Sequence, residues 1–241
     1  MDFSPVIRNL PYMLQGLQLT FLLALVGMSG SLVGGTVLAL LRLSPYRLLR
    51  WPAAVYVDAV RMIPLIMVIF WIFFLLPILT GRPVSATSAA MIALVAFNSS
   101  YMAEVVRAGL MSVPKGLGEA ARSSGLSFFQ NLLLITFPIA FRNMLPAIVS
   151  RFIALFMGTS LAYVIGVTEF FRAANNINNR IFRPFEIYLF VAVVYFVCCW
   201  SLSLLSRWIE RRLAAGERPA KQDQTALSLR IEAPAIAARA R

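Results

Sequence analysis

The sequence predicts an all-α integral membrane protein with five transmembrane helices, and three observations lead there. Hydrophobic residues make up 60% of the 241 and charged residues only 13%, far from a water-soluble average. Five charge-free runs, 9–41, 62–80, 83–103, 152–168 and 187–206, meet or approach the roughly 20 residues a helix needs to cross about 30 Å of hydrocarbon. The basic residues between them fall mostly on one side. Each run must be helical, because lipid offers backbone groups no hydrogen-bond partner.

The side with more basic residues holds Arg42, Arg47 and Arg50, then Arg107, Lys115, Arg122 and Arg142, then Arg207, Arg211 and Arg212. Arg8, Arg82, Arg172, Arg180 and Arg183 lie opposite. The positive-inside rule puts the N-terminus outside and the C-terminus in the cytoplasm. Much of the net charge of +12 thus lies in membrane-flanking segments and in the C-terminal tail, and no nucleic-acid partner is expected. No secretory leader is expected either, since Asp2 and Pro5 interrupt the first residues and no small-residue cleavage site follows.

Run 9–41 carries Gly27, Gly30, Ser31, Gly34 and Gly35, small residues at four-residue steps that allow close helix approach, either within this chain or at a subunit interface. Gln18 and Thr20, near its outer end, could face a pathway. Ser44-Pro45 and Trp51-Pro52 bracket a short basic turn. Asp58 and Arg61 are then i,i+3 neighbours on one helical face, and Pro64 should kink the helix as it enters the second run. The third run holds Asn98, a polar candidate for a substrate pathway, and ends in a second i,i+3 pair, Glu104 and Arg107. Charges inside a membrane usually pair or face protein, so both pairs read as interfacial anchors.

Between the third and fourth runs lies the polar, small-residue-rich segment VPKGLGEAARSSGLSFFQNLLLITFP, 113–138. Residues 119–124 can form a short helix opened by Glu119, as the helix dipole favours. Ala120 and Ala121 keep one face thin, and Gly125 ends the helix and turns the chain. Phe128 and Phe129 offer apolar anchors, and Pro138 marks re-entry towards the membrane.

The fourth run is the shortest and spans fully only if Arg151 and the residues before it share its helix. Arg151, about one turn past Pro146, could bind a substrate carboxylate from a cavity. It could equally snorkel to headgroups or bond a neighbouring helix. Thr159 and Ser160 are further pathway candidates. FFRAANNINNRIFRPFE reads as a polar outer loop, its four asparagines favouring turns. Residues 1–213 form the transmembrane domain, and 214–241, rich in Ala, Pro and charge, form a disordered cytoplasmic tail.

The chemistry is bounded by absences in the sequence. No His occurs, and the two cysteines, Cys198 and Cys199, are adjacent in an apolar run, so His-based catalysis, zinc binding and a disulfide framework are not expected. No GxxxxGK[ST] phosphate loop occurs. The chain is not expected to be an enzyme or to hold a cofactor.

Glu119-Ala120-Ala121, Gly125 after three residues, Ile135 after nine more and Pro138 fit E-A-A-x3-G-x9-I-x-L-P, with Phe137 in place of Leu. This resembles the EAA loop of ABC-transporter permeases. Arg61, Pro64 and Leu65 fit the Y-V-x-x-F-R-x-x-P-L signature of polar-amino-acid permeases, with Val60 for Phe. Tyr101, Glu104, Arg107 and Gly109 fit a further frame, as do Thr159, Ser160 and Leu161, although Met157-Gly158 stands where Lys-Asp is usual. VRMIPLIMVIFW and SLAYVIGVTEFFRAA are most like glutamate/aspartate permeases.

The resemblance implies a cytoplasmic coupling helix on which an ATPase docks, its groove arginine meeting Glu119 while Gly125 permits the turn. It also implies a permease of a bacterial inner-membrane importer for a polar amino acid, glutamate or aspartate by wording. Implied partners are a second permease chain (identical or related), two ATPase subunits that bind ATP and Mg, and a periplasmic binding protein. Other polar or basic cargo, or a membrane-embedded enzyme or scaffold, are the alternatives.

Overall fold

The computed structural model describes residues 3–214 of the chain, and all its regular elements among these are helical. A short α1 (Ser4–Arg8) leads into α2 (Leu10–Leu43), followed by α3 (Arg47–Arg61), α4 (Leu65–Thr80) and α5 (Ala86–Met111). The loop region contributes α6 (Lys115–Ser123) and α7 (Phe128–Asn131), which winds through one π turn into α8 (Phe137–Gly158). A 3₁₀ stretch (Thr159–Ile165), α9 (Phe170–Ile181) and α10 (Pro184–Ala214) complete the chain. The tail expected over 214–241 lies, beyond Ala214, outside the described residues.

Four helical segments are long and apolar enough to cross a membrane: Leu10–Leu43, Ala86–Met111, Phe129–Ile165 and Pro184–Arg212. α3 and α4, bent by 111° at their junction, make a fifth if they form one span. The 16 residues of α4 reach only about 24 Å alone, so the kink expected at Pro64 is a full break. Pro64 caps α4 in an extended conformation (ψ 140°), and proline also pushes the residue before it out of the helical region. In the fourth span, Arg151 and its predecessors do belong to the same helix, giving 37 residues from Phe129 to Ile165.

α2 lies along α5, and the small-residue stripe is the reason. A Cβ on Gly30 would come 2.7 Å from Val95 Cγ2, and one on Gly35 would come 2.6 Å from Met102 Cβ and 2.9 Å from the Ala103 amide nitrogen. Close approach of this kind replaces water exclusion as the packing force in lipid. Of the two uses left open for the stripe, packing within the chain is the one seen. The main core gathers Leu23, Ile69, Leu94, Met102 and Leu155 from α2, α4, α5 and α8. A second cluster joins Val6, Met13, Phe170, Ile177 and Ile187 from α1, α2, α9 and α10. Large apolar side chains left outside, such as Val33, Phe74, Phe196 and Trp200, fit a lipid-facing surface.

Several local expectations are corrected. Trp51-Pro52 does not bracket a turn, because Pro52 sits inside α3. The asparagine-rich segment is not a loop. Phe170, Ala173, Ala174 and Ile177 are buried at i, i+3, i+4 and i+7, an amphipathic repeat, and Glu169 caps the helix by accepting from the Phe171 and Arg172 amides, both at 2.8 Å. α6 starts at Lys115 rather than Glu119, so Glu119 lies mid-helix and the dipole does not explain it.

Candidate coupling surface and intramembrane polar cluster

The hairpin between the third and fourth spans is built by its own end signals. α6 closes in a full Schellman arrangement: the Leu126 amide donates to Ala121 O at 3.1 Å, the Gly125 amide donates to Arg122 O at 3.0 Å, and Gly125 adopts φ +82°. α7 opens with a reciprocal cap, the Ser127 amide donating to Gln130 Oε1 and the Gln130 amide to Ser127 Oγ. Asn131 Nδ2 reaches back to Gly118 O at 3.4 Å, tying the two helices together. Of the four residues singled out in the motif, only Ala121 is buried, while Glu119, Ala120 and Gly125 are exposed. No ion pair involves Glu119 among the described residues. Phe129 is 70% exposed. The hairpin therefore presents a carboxylate, a thin alanine face and an apolar ring to whatever meets it.

Above the hairpin, an ionic ladder ties three helices. Arg42 of α2 contacts Asp58 of α3 at 3.1 Å and Glu104 of α5 at 2.7 Å, and Arg107 closes on Glu104 at 2.7 Å. The Glu104–Arg107 pair is as expected. Asp58 takes Arg42 instead of Arg61, because the chain folds α2 beside α3. Asn143 Nδ2 donates to Ser112 Oγ at 2.8 Å, joining α8 to the end of α5.

Deeper in the bundle, two of the four pathway candidates meet. Arg151 Nη2 donates to Asn98 Oδ1 at 2.7 Å, and its guanidinium carbon lies 4.0 Å from the centre of the Tyr101 ring. The expectation that Arg151 bonds a neighbouring helix is met. The other two candidates are elsewhere. The buried Thr159 hydroxyl donates to its own helix at Phe156 O, and Ser160 does the same at Met157 O. Ser160 lines a separate cavity of about 500 Å³ with Met157, Phe171, Tyr188 and Tyr195. Thr20 does not face a pathway: it is fully buried and accepts from the Phe170 amide at 3.1 Å, fixing α9 against α2.

Residues 31–215 match the family described as binding-protein-dependent transport system inner membrane component. The chain belongs to that family. The permease is 37% identical over 220 residues to the glutamate/aspartate import permease protein GltK of Escherichia coli O157:H7, covering 88% of this chain and 98% of that one. It is 40% identical over 208 residues to the probable glutamine ABC transporter permease protein GlnP of Bacillus subtilis (strain 168), covering 85% and 95%. A solved structure described as an amino acid ABC transporter with histidines matches with a TM-score of 0.81 at 30% identity, covering 88% of this chain and 99% of that one. The chain is thus a multi-pass ABC permease of the polar-amino-acid type in a bacterial inner membrane. Its ATPase is a separate subunit, and the permease itself carries no cofactor.

Sequence reasoning passed over Glu169, which lies outside the candidate spans yet is fully buried. Burial pushes its carboxyl up to about 7, against the two amide donors that favour the charged form. A carboxyl whose pKa is higher folded than unfolded contributes stability below the ordinary carboxylate range and loses it as pH rises through about 7. Thermal unfolding of the purified permease should therefore shift to lower temperature as pH rises from 4.5 to about 7 and level off above that, and Glu169→Gln should flatten that slope.

Proposed function

We propose that this permease belongs to an importer for glutamate and aspartate. Two permease chains, identical or related, would form the pathway, two ATPase subunits would drive it, and a periplasmic binding protein would deliver the amino acid. The N-terminus is placed in the periplasm and the C-terminus in the cytoplasm, so that α6 meets the ATPase. Glu119 supplies the ionic contact, Ala120 the close-fitting face and Gly125 the turn, while Ala121 packs against the chain itself. The observation that carries this reading is the exposed Glu119, without an ion-pair partner among the described residues, on a short helix closed by a left-handed glycine. It stands where the basic residues concentrate.

The acidic cargo is supported by the likeness to GltK along nearly its whole length. A glutamine importer is the second reading, favoured by the identity to GlnP. Uptake into proteoliposomes holding the complete complex separates them. Labelled glutamate should accumulate with ATP, aspartate should compete, and glutamine in tenfold excess should not. Accumulation of glutamine alone would overturn the acidic assignment.

A further inference from the structure

α5 has 26 residues, and Asn98 is the thirteenth, so the Asn98–Arg151 contact lies about halfway along a membrane-crossing helix. An arginine at that depth usually finds a carboxylate or a set of carbonyls. Here the carboxylates of Asp58 and Glu104 are committed to Arg42 and Arg107, and no ion pair reaches Arg151 or Arg61 among the described residues. Instead a second cation approaches the same ring. The Arg61 guanidinium carbon lies 5.2 Å from the centre of Tyr101, whose hydroxyl donates to Arg61 O at 3.3 Å.

Two buried donors in this cluster have no acceptor: Arg151 Nε and Asn98 Nδ2. Turning the Asn98 amide over does not help. Its oxygen accepts from Arg151 Nη2, and reversal would set donor against donor. What the cluster lacks is therefore an acceptor and a negative charge together. A planar carboxylate supplies both, because its two oxygens match the guanidinium fork and each keeps a lone pair that can accept an amide N–H. The full burial of Asn98 argues against a lipid headgroup as the source. Arg61 is exposed and ends α3 at the 111° break, so it lies on the solvent side of the cluster while Asn98 is its fully buried end.

We propose that Asn98, Tyr101 and Arg151, with Arg61 on the solvent side, form a receptor for a carboxylate of the amino acid in transit. This rests on the reading of the chain as an amino-acid importer. The carboxylate could be the α-carboxylate of any amino acid or the side-chain carboxylate of an acidic one, and the test separates these sources.

The assembled permease–ATPase complex, purified without binding protein, is titrated with labelled glutamate, glutamine and glutamate α-amide. Arg151→Gln should weaken glutamate binding about tenfold or more, the scale of a lost charged hydrogen-bond pair, while ATPase subunits stay bound. Weakened binding of glutamate and its α-amide, with glutamine unaffected, assigns the side-chain carboxylate; weakened glutamine binding assigns the α-carboxylate. Asn98→Ala, which leaves the charge in place, should weaken the same ligands, and it serves alone if Arg151→Gln does not assemble. Arg151→Lys should recover part of the affinity, which a purely packing role would not restore. If the native complex binds glutamine and not glutamate, the acidic-cargo reading fails, and the loss of glutamine binding in Arg151→Gln still supports the receptor. Affinities within twofold of the native complex for every ligand in both Arg151→Gln and Asn98→Ala overturn it.

Discussion

Glu119→Lys is expected to strip the ATPase subunits from the purified complex and bring uptake down to background while leaving the permease folded. Glu119 is exposed and makes no ion pair among the described residues, so removing it costs the chain itself little. Its proposed work is all outside the chain. Reversing the charge sets like against like in a contact that excludes water, where a mismatched pair costs several kcal/mol. Co-elution of the ATPase should fall by about a hundredfold or more, the equivalent of roughly 3 kcal/mol, with an unchanged melting temperature for the permease. Glu119→Gln keeps the shape and should lose less. ATPase bound at native stoichiometry to the Lys variant would remove α6 as the docking site. Ala120→Leu offers an independent check, since it thickens the exposed face without changing charge.

Gly35→Val should have the largest effect on stability. The added Cβ would meet Met102 Cβ at 2.6 Å and the Ala103 backbone nitrogen at 2.9 Å. Backbone cannot rotate away, so α2 and α5 must separate. Overpacking of this kind costs about 1–3 kcal/mol and sometimes more, and here it loosens the longest helix contact in the bundle. The expected result is a clear fall in melting temperature and in the yield of monodisperse protein. Gly34→Ala makes a graded comparison. Its Cβ would meet the Ser99 hydroxyl at 2.6 Å and Ser99 Cβ at 3.4 Å, an ordinary contact distance, and the hydroxyl can turn aside. Equal losses at both positions would argue against backbone contact as the cause.

The spans were legible because composition alone demands them: a run without charge in lipid has no structural option but helix. The Glu104–Arg107 pair was legible because both partners lie on one helix, but the same spacing misled at Asp58 and Arg61, where Arg42 takes the carboxylate. Partners from distant segments were not legible. Arg42 meets Asp58 across 16 residues and Arg151 meets Asn98 across 53, separations that no local spacing rule encodes. α9 was misread for a different reason. Its four asparagines suggest turns, and they hid both the apolar repeat from Phe170 to Ile177 and the glutamate immediately before it. Those two signals, taken together, would have found the helix. At α6 the start of the helix was misplaced because Pro114, which takes the capping position before Lys115, was not weighed.

The continuous course of the chain from Phe129 to Ile165 makes a lever. Thirty-seven residues at helical rise measure roughly 55 Å, so a tilt of about 5° at the hairpin end carries the far tip through roughly 5 Å. Give along that rod is localised at the π turn of Leu132–Thr136 and at Pro146, where the regular backbone ladder is interrupted. Arg151 lies past both of these points on the same rod, so part of any tilt at the hairpin is absorbed in bending before it reaches the guanidinium.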